Sequence, residues 1–229
     1  MLKPQKKVSK KEIKEDKLVT QYFAIRSWID QNQRLAMYIV ATPIVIVLLW
    51  FWWNSKRAEW NETATTQLAK IIPYYDEGKY DQAIQGVPQE GAQGLKAIVD
   101  EYGSTPAGEI AKIYLANAYF QKKEYDQALE YYDDISVSDN MIEASALAGM
   151  AACYEAQGKY KDAAKYFEKA AAKNMVLTQA PDNLQRAAIN YAAVGEKNKA
   201  KELLETIKKE FPTSSQARDI DRYIAEICS

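Results

Sequence analysis

Four short stretches of this chain repeat one another. They are Gly78-Lys79-Tyr80-Asp81-Gln82-Ala83, Lys123-Glu124-Tyr125-Asp126-Gln127-Ala128, Gly158-Lys159-Tyr160-Lys161-Asp162-Ala163 and Gly195-Glu196-Lys197-Asn198-Lys199-Ala200. Their alanines lie 45, 35 and 37 residues apart. Repetition on this scale implies a stack of supersecondary units, none of which buries its apolar face alone. Each stretch reads as a turn between helices. A glycine or polar residue ends one helix, and an apolar-x-x-Ala pattern opens the next.

The residues around each turn keep register. Twelve positions before Ala128, Ala163 and Ala200 stand Ala116, Ala151 and Ala188, and nine positions before stand Tyr119, Tyr154 and Tyr191. Four positions after stand Tyr132, Phe167 and Leu204, and seven after stand Ile135, Ala170 and Ile207. Small residues let two helices approach closely, and the large ones fill the space at the hairpin base.

In this register the chain resembles the tetratricopeptide repeat family over residues 105–212, and more loosely over 56–104. The tryptophan often found early in the first helix of such a repeat is replaced by Lys112, Leu147 and Leu184, and the closing proline survives only as Pro212. The resemblance implies an all-α solenoid whose first helices line a concave groove. Carried over by register, the lining is Ile110, Ile113, Asn117 and Phe120 from one hairpin, and Ser145, Ala148, Ala152 and Glu155 from the next. Asp182, Gln185 and Ile189 complete it from the third. That set is small, apolar and mildly acidic. It lacks the Lys and Arg residues with which relatives clamp a peptide carboxylate, and only Asn117 is similar to that clamp. The groove either holds an apolar or basic segment of a partner or merely packs the superhelix.

The first unit is longer. Residues 86–91, Gly-Val-Pro-Gln-Glu-Gly, should break its second helix, and residues 93–102 should form an extra one. Leu95, Ile98, Glu101, Tyr102, Ser104 and Tyr114 match Leu204, Ile207, Glu210, Phe211, Thr213 and Tyr223 at a constant offset, with Ser104 and Thr213 as helix caps. Residues 213–227 then form the capping helix at the open end of the solenoid.

Residues 35–53 read LAMYIVATPIVIVLLWFWW, 19 positions without a charge. At about 1.5 Å per residue they span roughly the 30 Å of a bilayer's hydrocarbon core. Trp50, Trp52 and Trp53 sit at one end, where indoles favour the interface, and Pro43 is tolerable inside such a helix. The run ends in Asn54-Ser55-Lys56-Arg57 without a small-x-small exit, so a retained transmembrane helix is expected rather than a cleaved signal. The segment before it carries nine Lys/Arg against four Asp/Glu, and residues 54–229 carry a net charge of −6. The positive-inside rule then expects a cytoplasmic N-terminus and a repeat domain in the periplasm of a bacterial inner membrane. Within residues 1–34, Leu18, Tyr22, Ile25 and Ile29 recur at helical spacing, with Val19, Phe23 and Trp28 beside them. That amphipathic helix lies on the membrane, against a partner, or in water as a lead-in to the span.

The chain has no histidine, and its two cysteines, Cys153 and Cys228, are no disulfide framework. A bridge between them is possible, and a core residue plus a tail residue is the plainer expectation. There is no phosphate loop, CxxC or GxSxG motif. The pairs Asp133-Asp134 and Asp219-Asp221 read as solvated faces of periodic helices. No enzyme, cofactor, metal, nucleic-acid or small-molecule site is therefore expected. The expected layout is a basic tail with an amphipathic helix over 1–34 and a transmembrane helix over 35–53. A linker helix and atypical first repeat follow over 54–104, then repeats and cap over 105–229. The whole resembles the YfgM-type ancillary subunits of the bacterial Sec translocon. That resemblance implies translocon subunits or periplasmic chaperones as partners. An anchored scaffold for envelope assembly, secretion or motility machinery shares the same plan.

Overall fold

The computed structural model describes residues 10–173 and 179–228, with the side chains of 19–173 and 179–227. The lysines at 3, 6 and 7 and the side chains of Leu18 and Cys228 lie outside the described residues. The chain divides between Lys56 and Arg57 into two units. The first holds helix α1 (Lys10–Gln31) and the opening part of α2 (Gln33–Asp76). The apolar run expected over 35–53 is helical throughout, passing Pro43 without a break, and its large side chains are all exposed. An 18-residue window of α2 reaches a mean hydropathy of 2.2 with none of it buried. It is long and apolar enough to cross a membrane.

In the second unit the rest of α2 is followed by α3 (Tyr80–Gln85), α4 (Leu95–Tyr102), α5 (Pro106–Gln121) and α6 (Tyr125–Asp133). Then come α7 (Asn140–Ala156), α8 (Tyr160–Lys173), α9 (Ala180–Ala193), α10 (Lys197–Glu210) and α11 (Ile220–Cys228). The hairpins are α5–α6, α7–α8 and α9–α10, each packed on the next, and α11 lies against α10. This is the all-α solenoid of stacked hairpins with a C-terminal capping helix that the sequence predicts.

Four turns of one design join the hairpins. In each, the carbonyl of the tyrosine two residues before the helix end accepts the amide of the residue just before the next helix. Tyr74, Tyr119, Tyr154 and Tyr191 take the amides of Lys79, Glu124, Lys159 and Glu196 at 2.8–2.9 Å. The carbonyls of those four residues then take the amides of Ala83, Ala128, Ala163 and Ala200. This is a Schellman cap run directly into a new helix, and its hinge residue needs positive φ. Gly78, Gly158 and Gly195 supply that conformation, and Lys123 adopts it without being glycine, at φ +64°.

The repeat register is a burial register. All four turn alanines, and Ala116, Ala151 and Ala188 opposite them, are wholly buried. Phe167, Leu204 and Ile207 are buried to the same degree, and Tyr132 nearly so. Close approach goes further at Gly149 on α7. A Cβ there would stand 2.3 Å from the Tyr132 ring of α6. One buried cluster runs from Ala64, Leu68 and Ile71 to α7, and a second from α7 to Ile220. Tyr154 and Tyr166, ring centroids 5.2 Å apart, pack against both.

Two details depart from expectation. The break at residues 86–91 contains a two-residue antiparallel ladder, Gly86 to Gln93 and Val87 to Ala92, around a 3-10 turn at Pro88–Glu90. The capping hydroxyls fall one residue later than expected, at Thr105, the N-cap of α5, and at Ser214, two residues before the 3-10 turn Gln216–Asp219, rather than at Ser104 and Thr213. Thr105 Oγ1 donates to the Tyr102 carbonyl (2.8 Å) and accepts from the Gly108 amide (3.0 Å). Ser214 Oγ donates to the Phe211 carbonyl (2.8 Å) and accepts from the Ala217 amide (3.2 Å). The internal echo is therefore real, at the same offset, and its polar member is the hydroxyl that turns inward.

Two substitutions test this account. Lys123→Gly relieves a left-handed lysine, which costs roughly 1 kcal/mol, and should raise the melting temperature of the detergent-solubilised chain. Gly149→Ala should lower it, by about 1–3 kcal/mol of overpacking against Tyr132. A lower melting temperature for Lys123→Gly would contradict the shared design of the turns.

Candidate functional site

The first helices of the three hairpins, α5, α7 and α9, carry all the sequence-predicted lining residues. α5 packs against α7, and α7 is tied to α9 by side chains. Ile110, Asp182 and Ile189 are exposed, Ile110 and Ile189 at 41% and 43%. The other eight are half-buried. Ile113 and Phe120 pack against the first core, and the Phe120 ring lies 5.6 Å from that of Tyr125 in its own hairpin. Phe120 is thus partly a packing residue. Asn117 accepts a short hydrogen bond from the Tyr132 hydroxyl, so it braces its own hairpin. Ser145 donates to the Met141 carbonyl, and Ala148 and Ala152 pack against the second core.

Glu155 carries a cross-repeat hydrogen-bonded contact. Its carboxylate accepts from the Arg186 guanidinium and from Asn190 Nδ2, both on α9. The guanidinium also lies 4.1 Å from the centre of the Phe167 ring. An Arg held against an aromatic face and a carboxylate is positioned by both. The face is therefore less acidic at Glu155 than the sequence suggests. Two residues of it escaped sequence reasoning. Arg186 stands beside Gln185 in the register, and Met141, 51% exposed, opens α7 one turn before Ser145. The i−4 spacing of Met141 from Ser145 was the available signal.

Two clefts among the described residues lie elsewhere. One of about 310 Å³ is bordered by Arg57, Pro106, Glu109, residues 136–139 and Ile142. A second, of about 320 Å³, lies at the turn 123–127 beside Gln157. None of the eleven predicted lining residues borders either. Glu109, at the floor of the first cleft, is explained by its neighbours. It is buried and faces Lys112 Nζ at 3.4 Å, while Lys112 reaches the Asp134 carboxylate at 2.8 Å and the Asp134 carbonyl at 2.9 Å. Lys112 stands where related repeats place tryptophan, and its ammonium closes the C-terminal end of α6. Among the described residues no cluster of His, Cys, Asp or Glu could hold a metal ion. The Cys153 thiol is free and wholly buried, and burial, with a smaller push from Asp126, raises its pKa to about 12. It is not a nucleophile.

Residues 146–175 and 182–214 each match the tetratricopeptide repeat family. The chain carries tetratricopeptide repeats. The two matches cover α7–α8 and α9–α10, and the α5–α6 hairpin continues the same tetratricopeptide register in structure. No curated protein is detectably similar to the chain.

The buried pair and the buried thiol each make a prediction. Lys112→Met leaves the Glu109 carboxylate buried without its cation and should cost about 3 kcal/mol, read as a fall in melting temperature. Adding Glu109→Gln to it should recover most of that loss, and no recovery would disprove the pairing. For Cys153 the sign follows from its raised pKa. Below the ordinary value of 9.0 the thiol is protonated folded or unfolded, and as pH climbs from there toward about 12 only the unfolded chain ionises. Stability should therefore fall across that window. In Cys153→Ala the fall between near-neutral and strongly alkaline pH should be smaller, as read by melting temperature.

Proposed function

We propose that the chain is a membrane-anchored protein-binding module. Residues 35–53 cross the bilayer, the basic N-terminal segment stays in the cytoplasm, and the tetratricopeptide stack faces the other side. The stack holds its partner along the α5–α7–α9 face. The observation that carries this reading is the exposure of Ile110, Met141 and Ile189 on three successive first helices. Each is a large apolar side chain left in water. Such a row suits an apolar segment of another protein. The paired Glu155 and exposed Asp182 allow basic residues in that segment. The layout of tail, span and repeats supports the finer proposal of an accessory factor of the Sec translocon and periplasmic chaperone network. An anchored scaffold for envelope machinery differs only in its partner.

Co-purification of the tagged full chain from native membranes tests the reading. Translocon subunits or periplasmic chaperones in the eluate support the finer proposal, and envelope machinery in their place supports the scaffold. Ile110→Asp combined with Ile189→Asp should reduce capture by on the order of tenfold, with the melting temperature unchanged because both residues are exposed. Unchanged capture would move the contact off this face. Protease treatment of spheroplasts checks the orientation. Survival of the repeat domain, where known periplasmic domains are degraded, would reverse it.

A further inference from the structure

Helix α1 has an unpartnered apolar face with a definite neighbour. Tyr22, Ile25, Trp28 and Ile29 lie within one side of the helix and are 41–60% exposed. Thr20, Ala24, Ser27 and Gln31 recur at the same helical spacing on the opposite side. That side is small and polar except toward Phe23, 61% exposed, whose ring lies edge-on to Tyr22 at 5.7 Å.

The connection to α2 is a joint. The Asn32 amide reaches back to the carbonyls of Trp28 (2.9 Å) and Ile29 (3.2 Å), and its own carbonyl takes the amide of Ala36 (2.9 Å). Among the described residues, no backbone hydrogen bond links the carbonyls of Ile29, Asp30 or Gln31 to the amides of Gln33, Arg34 or Leu35. The Asn32 side chain instead donates to the Trp28 carbonyl at 3.0 Å. An interrupted i→i+4 ladder with an asparagine on it is where a helix can bend. The uncharged run begins three residues later.

We propose that α1 is an interfacial helix, lying in the headgroup region of the bilayer that residues 35–53 cross, with Tyr22, Ile25, Trp28 and Ile29 turned toward the acyl chains. The inference rests on the membrane reading of that run. Four observations select a lipid surface over another protein. The face is continuous in sequence with the span, and the joint at Asn32 lets it turn into the plane. Tyr22 and Trp28 are the amphipathic rings that favour the interface. Arg26 flanks the apolar side, where its stem can lie on the acyl boundary and its guanidinium reach phosphate. The span then gains a second anchor that resists tilt and withdrawal, because the interface binds α1 by area rather than by pockets.

Site-directed spin labelling of the full chain tests this. Cys228→Ser is the background, because the buried thiol of Cys153 is shielded from the label. Single cysteines are placed at Ile25, Ser27 and, within the span, Val45. The chain is reconstituted in vesicles of phosphatidylethanolamine and phosphatidylglycerol. Collision with oxygen reports lipid, and collision with a water-soluble nickel chelate reports solvent. The expected result is an oxygen-to-nickel ratio several-fold higher at Ile25 than at Ser27, intermediate between Ser27 and Val45. Nickel access at Ile25 equal to that at Ser27 would overturn the proposal in favour of a solvated helix. Low access to both reagents at Ile25 would overturn it in favour of a protein contact. A solvent-accessible Val45 would instead defeat the membrane reading itself, so the two failures are distinct.

Discussion

The stack depends on one recurring constraint, a four-residue reversal that must end one helix and begin the next without a spacer. The carbonyl that accepts the closing hydrogen bond always belongs to a tyrosine, and the carbonyl that opens the next helix always receives an alanine amide. Because the turn is this short, the two helices of a hairpin leave it already in contact, and only a small side chain fits between them. Alanine at the opening, and alanine opposite it at Ala116, Ala151 and Ala188, follow from the turn, while Ile71 fills the same position opposite Ala83. The large residues four and seven positions later fill the wedge that opens as the helices diverge. The same geometry repeated three times produces a continuous core with a single change of partners at α7, where Tyr154 and Tyr166 touch both clusters.

This explains why the fold was legible before any coordinates. Wherever packing is dictated by backbone approach, residue identity follows the register, and Ala83, Ala128, Ala163 and Ala200 are all wholly buried. What escaped is what depends on side-chain direction. Ser104 and Thr213 matched by offset, yet a hydroxyl one residue later makes each cap. Adjacent hydroxyl residues offer two possible caps, and only the direction of the chain after the preceding helix decides between them. The short ladder around Pro88 was likewise invisible, because two residues carry no period.

The proposed binding face shows the same division. Its positions could be carried over by register, but their states could not. Asn117, Phe120 and Glu155 are each engaged, by Tyr132, by Tyr125, and by Arg186 with Asn190. Those bonds join elements separated in sequence, and one sequence does not record which long side chain reaches which. The exposed members are therefore the informative ones. Ile110 and Ile189 are left over after the stack has satisfied its own packing.

A solenoid of this size with so much of its polar surface internally paired has a consequence for partner choice. Lys122 bridges Asp81 of the preceding unit and Glu124 of its own turn, and Lys161 meets Glu196 and Lys199 meets Glu168 between neighbouring units. Each such pair is weak at a solvated surface. Together they occupy charges that would otherwise project a field. For a bound partner, the exposed apolar side chains would supply the short-range part of the attraction by desolvation. The anchoring proposed above would favour a partner already concentrated in the plane of the same membrane.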